Sequence, residues 1–111
     1  MDINATKDGD ILIIGLKGRL DANTSPSLED RLVGLIDGGQ TRFLVEFTEV
    51  DYISSAGLRV LLMVAKRLKN VNGRIVLASL NDHIKEVFDI AGFSSVLTIY
   101  ASEKDAKASF S

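Results

Sequence analysis

Residues 43 to 58 read Phe-Leu-Val-Glu-Phe-Thr-Glu-Val-Asp-Tyr-Ile-Ser-Ser-Ala-Gly-Leu, and this stretch decides the fold. Phe43 to Phe47 is short, apolar and aromatic apart from Glu46, the pattern of a central strand covered on both faces. Beyond it, Leu58, Leu61, Leu62, Ala65 and Leu68 repeat at helical spacing, with Arg59, Lys66, Arg67 and Lys69 outside that stripe. Strand passes to helix across Thr48 to Ser55, read as a loop in which Asp51 is a turn residue.

Working outward, Leu28, Leu32, Leu35 and Ile36 form one stripe between Thr24 and Gly38. Thr24 or Ser25 is the expected N-cap, Pro26 suits the first turn, and Glu29 and Asp30 are placed to favour the positive end of the helix dipole. Residues 2 to 6 read as a weak strand, and Asp8-Gly9 as a tight turn into the strong strand Ile11 to Leu16. Ile75 to Ala78 is another buried strand, and Ile84, Val87, Phe88 and Ala91 give a third helix. Val96 to Tyr100 is a last strand, and Ser102 with Asp105 resembles a capping box opening a short terminal helix.

The order is β-β-α-β-α-β-α-β-α: one α/β domain over residues 1–111 with a mixed sheet of four or five strands. Alternation with short links requires right-handed crossovers, so strands two, three and four are expected parallel, with strand three inside the sheet. Glu46 within the central strand predicts helices mainly on one face and a hydrogen-bonded structural carboxylate there.

Composition narrows the function. The 111 residues carry a formal charge of −2, with no surplus of cations to neutralise phosphates, so nucleic acid is not an expected partner. No Cys and a single His (His83) remove thiolate chemistry and leave no set of histidine metal ligands. No catalytic residue, metal site or cofactor is expected, and the chain is not read as an enzyme. Met1-Asp2-Ile3-Asn4 has no signal-peptide character and no apolar run reaches membrane-span length, so a cytoplasmic location without membrane insertion is expected.

Parallel strands bring their carboxyl-end loops, Asp21 to Thr24, Thr48 to Ser55 and Ser79 to Asp82, to one edge of the sheet, where ligands gather in open α/β folds. Ser54-Ser55-Ala56-Gly57 opens a helix whose first N–H groups lack partners and whose dipole end is positive. A serine hydroxyl there serves equally as a helix cap or as a reactive group, and pattern alone leaves both open. Gly57 inside the helix points to a close approach of something to the backbone.

Val50 to Leu58 resembles the phosphorylation segment of bacterial anti-sigma factor antagonists, the free-standing members of the STAS domain family. Gly18-Arg19-Leu20-Asp21 with Thr24 is similar to a second family segment. The resemblance implies a phosphoacceptor at Ser55, with Ser54, standing where the family has Asp, as a rival. It implies a partner surface of Asp21, Asn23, Thr24, Ser54, Ala56, Gly57, Leu58 and Arg59. It further implies that the unphosphorylated form binds an anti-sigma factor, itself a serine kinase of the histidine-kinase-like ATPase fold, and releases that factor's target. Phosphorylation would reverse binding, and a PP2C-type phosphatase would reset it. Weak homodimerisation is compatible with this scheme, and the alternative is a constitutive scaffold subunit of a transporter or lipid-trafficking complex.

Overall fold

In the computed structural model, which describes residues 1–93 and 97–110, the chain doubles back at Gly9, whose φ of 60° is a left-handed conformation that glycine adopts without a steric cost. The turn joins β1 (Asp2–Asp8) to β2 (Ile11–Leu20) as an antiparallel hairpin with Ala5 opposite Ile14. The first strand therefore runs on through Lys7 and Asp8, past its expected end at residue 6. The remaining elements are α1 (Ser25–Asp37), β3 (Arg42–Ile53), α2 (Ser55–Lys69), β4 (Arg74–Ala78), α3 (Asp82–Ala91), β5 (Thr98–Tyr100) and α4 (Glu103–Ala108). The strands lie in the order β1-β2-β3-β4-β5, and β2 to β5 are mutually parallel. The α/β class, the mixed sheet and the central place of β3 thus match the sequence reading. Val96, the expected start of the last strand, lies outside the described residues.

One boundary is corrected. The segment Thr48 to Ile53 is strand, not loop, and Asp51 is an exposed strand residue, not a turn residue. The cause is the length of β2, which keeps pairing with β3 through register shifts between Gly15 and Lys17 and between Gly18 and Arg19 until Leu20 lies opposite Ile53. Gly18, at φ 108°, takes up the second irregularity. Only Ser54 separates β3 from α2.

The two faces of the sheet are unequal. Leu12, Ile14, Phe43, Val45, Phe47, Ile75 and Leu77 form the main core with residues of α1, α2 and α3, including an edge-on contact of Phe47 with Phe88 at 6.3 Å. On the other face Leu44, Val76 and Ala78 pack against Ala106 of α4. Arg74 anchors the end of α4 by donating to the Ser109 carbonyl at 2.7 Å and lying over the Phe110 ring. Ser102 caps α4 by accepting from the Asp105 N–H, as its pattern predicts. Helices therefore cover mainly one face. Glu46 is a structural carboxylate on the sparser face, accepting from the Thr48 N–H at 2.9 Å and the Ser79 hydroxyl at 3.0 Å.

Two helix details differ from the periodicity. In α2 the buried arc comprises Gly57, Leu58, Val60, Leu61, Val64 and Leu68, while Leu62 and Ala65 are half-buried. The arc is wider and rotated because α2 packs against both α1 and the sheet. In α1, Glu29 and Asp30 fall beyond the first turn, which holds no acidic residue, so neither sits at the positive end of the dipole.

Candidate functional site

Two connections meet at the carboxyl edge of β2 and β3. In the first, Asp21 closes the turn between β2 and α1: its Oδ1 accepts from the Asn23 N–H at 2.9 Å and the Thr24 N–H at 3.1 Å. Thr24 answers, its Oγ1 accepting from the Asp21 N–H at 2.9 Å and donating to the Arg19 carbonyl at 2.8 Å. Thr24 occupies the N-cap position of α1 but spends its side chain on this turn and makes no side-chain cap. The Thr24 N–H foremost, helped by Asn23, the Thr24 hydroxyl and Arg19, holds the Asp21 carboxyl below its ordinary value, while partial desolvation opposes. Arg19 lies 3.8 Å from Asp21 and stacks over the Tyr52 ring at 4.2 Å.

The second connection is the single residue Ser54. Its backbone N–H donates to the Leu20 carbonyl at 2.9 Å, tying the start of α2 to the end of β2. Its side chain is the N-cap, accepting from the Gly57 N–H at 3.3 Å. Gly57 is where the two connections press together. A Cβ at that position would lie 2.6 Å from Leu20 Cγ and 3.1 Å from Ile53 Cγ1, so the close approach expected from the sequence is that of the Leu20 side chain.

The named residues therefore divide into three groups. Gly57 and Leu58 face the core, and their part in the site is to set the position of α2. Asp21, Thr24 and Ser54 are bonded within the turns. Asn23, Ser55 and Arg59 are exposed and Ala56 half-exposed along the same edge. Between α1 and α2 lies a groove of about 300 Å³, lined by Ala22, Ser25, Pro26 and Glu29 on one side and Ala56, Arg59, Val60 and Met63 on the other. Ala22 falls in the Asp21 to Thr24 loop expected at this edge, whereas Ser25, Pro26, Glu29, Val60 and Met63 are not marked as site residues by the sequence, and only the four-residue step from Arg59 to Met63 hints at the groove. The third loop stands beside this edge through Asn81, whose amide donates to the Val50 carbonyl at 3.3 Å. His83 is exposed in the first turn of α3.

A separate hollow of about 240 Å³ on the sparser face is lined by Asp2, Asn4, Lys17, Glu46, Thr48 and Glu49 around Gly15. It lies away from the groove, and its carboxylates are in part committed: Glu46 as above, Glu49 to Lys17 at 3.7 Å. Among the described residues no three acidic or histidine side chains are grouped to hold a metal ion. No described helix is long and apolar enough to cross a membrane.

The STAS domain profile matches residues 2–106. The chain belongs to the STAS family. It is 40% identical over 110 residues to BtrV of Bordetella bronchiseptica, named as an anti-sigma factor antagonist, covering 99% of this chain and 95% of that one. The anti-sigma-B factor antagonist of Listeria monocytogenes is 32% identical over 94 residues, covering 84% of this chain and 82% of that protein. Among solved STAS structures, an anti-sigma factor antagonist of Thermotoga maritima superposes with a TM-score of 0.92 at 17% identity, over 96% of this chain and 92% of that one. The phosphorylated form of the Bacillus cell fate determinant SpoIIAA gives 0.77 at 20% identity, over 99% and 100%. These superpositions establish the STAS fold.

Proposed function

We propose that this protein is an anti-sigma factor antagonist that works by partner switching, with Ser55 as the phosphoacceptor. Family membership and the 40% identity, over nearly the full chain, to a protein named as an anti-sigma factor antagonist support the class of function. The observation that carries the choice of residue is the difference between two adjacent serines. Ser55 is exposed at the first position of α2 and its hydroxyl forms no hydrogen bond among the described residues, whereas the Ser54 hydroxyl is engaged as the cap. Capture of Ser54 by a kinase would cost the helix its cap; capture of Ser55 costs nothing.

In this reading the unphosphorylated edge formed by Asn23, Ser55, Ala56 and Arg59 docks on an anti-sigma factor that is a serine kinase of the histidine-kinase-like ATPase fold. Transfer of the γ-phosphoryl of ATP forms the Ser55 Oγ–P bond, breaks the β–γ phosphoanhydride, releases ADP and passes the hydroxyl proton to the kinase. A PP2C-type phosphatase restores the hydroxyl with water, releasing phosphate. The phosphoryl group adds about −1.5 to −2 charges at pH 7. One such charge about 4 Å from a like charge, at an effective dielectric near 20, costs roughly 4 kcal/mol, close to the ~5.5 kcal/mol that inverts a 1:99 equilibrium. Refolding is not needed. α2 itself tolerates an anion at its N-terminus, so refusal arises at the partner's surface.

Equilibrium binding of the anti-sigma factor tests the reading. Phosphorylation at residue 55 is expected to weaken binding by roughly a thousandfold, the equivalent of ~4 kcal/mol. Ser55→Ala should bind like the unphosphorylated protein whether or not ATP is present. Equal binding of the phosphorylated and unphosphorylated proteins would contradict it.

A further inference from the structure

Arg59 follows Ser55 by four residues, so the two side chains stand on one face of α2 with Cβ atoms about 5 to 6 Å apart. Both are exposed. The guanidinium of Arg59 takes part in none of the side-chain hydrogen bonds or ion pairs formed among the described residues. Arg19 is held on Tyr52 and Asp21, Arg67 on Asp37, and Arg74 on Ser109 and Tyr100, while Arg31 and Arg42, which also form no such bond among the described residues, do not line the groove. Glu29 lines the same groove from α1 yet forms no ion pair with Arg59. An unpaired guanidinium at the rim of an apolar groove is an anchor for an acidic side chain of a partner.

We infer that Arg59 is a two-position element of the switch: it pairs with a carboxylate of the anti-sigma factor when Ser55 is unmodified, and folds back one turn onto the phosphate when Ser55 is phosphorylated. The inference rests on the reading of Ser55 as the acceptor. The acid-before-base order at i, i+4 is the favourable one on a helix, and the planar guanidinium matches two phosphate oxygens at once. Phosphorylation then acts twice, adding negative charge to the edge and withdrawing the cation that the partner needs.

The test uses protein with phosphoserine inserted at residue 55 during translation, so that neither kinase nor partner is required. The second ionisation of the phosphate is followed by ³¹P NMR. Arg59→Gln is expected to raise its midpoint by about 0.3 pH unit or more, Arg59→Lys by less, and Lys66→Gln, roughly three turns away, not at all. An identical midpoint in wild type and Arg59→Gln overturns the inference, and does so without bearing on which serine the kinase uses. The second arm is binding to the anti-sigma factor. Arg59→Gln without phosphate should bind about tenfold more weakly, and phosphorylation should weaken it by a smaller factor than it weakens wild type. The same phosphorylation factor in both proteins overturns the competition.

Discussion

The two connections at the carboxyl edge of the sheet use polar residues in opposite ways. In the turn between β2 and α1, Asp21 and Thr24 satisfy each other and the backbone around them, so the turn holds its shape with its own groups. At the junction between β3 and α2, Ser54 is the polar side chain that does structural work, while the side chains of Ser55 and Arg59, exposed on the following turn, form no hydrogen bond or ion pair among the described residues. The first connection is a brace and the second a contact surface held in place by it, through Ser54 on the Leu20 carbonyl and Leu20 against Gly57. Polar residues that look alike in sequence thus separate by whether their bonds are already made.

The sharpest way to break this division is at the point where the connections press together. Gly57→Val should be overpacked against Leu20 and Ile53 and lose about 1 to 3 kcal/mol in denaturant unfolding, with the exposed edge displaced. Ser54→Ala removes the cap and should lose about 1 kcal/mol while leaving a phosphorylatable Ser55. Asp21→Asn should matter through pH. Because the folded state holds the Asp21 carboxyl below its ordinary 3.8, the stabilisation is complete above that value and is lost as pH falls through the lowered one. Melting curves of wild type and Asp21→Asn should therefore converge on acidification; a constant gap would show that Asp21 is not the brace. Arg59→Gln comes last, with no measurable change in melting temperature; a clear loss would reveal a structural role for Arg59 instead of a contact.

Much of the fold was legible in the sequence because its helices and buried strands carry clean periods and recognisable ends, such as Gly9 and the Ser102 cap. The extension of β3 was not. Thr48, Glu49 and Asp51 interrupt its apolar pattern, and its pairing with β2 depends on register shifts that no alternation rule announces. The Arg19–Tyr52 stack was hidden for the same reason, since the two residues become neighbours only after the second shift. The site was legible as a segment but not in its parts. Spacing located Ser54 to Arg59 at a helix start with Ser54 as its expected cap or turn residue, while the allocation of Gly57 to packing against Leu20 and of Asp21 to an internal turn required the geometry of three elements together.

The division between a capping serine and a reactive one is tested most directly by which of the two receives the phosphate. Wild type, Ser54→Ala and Ser55→Ala are incubated with the cognate kinase and ATP, and the modified peptide is mapped by mass spectrometry. Phosphate on Ser55 in wild type and in Ser54→Ala, with none on Ser55→Ala, is the predicted result; phosphate at Ser54 of the Ser55→Ala protein would contradict it.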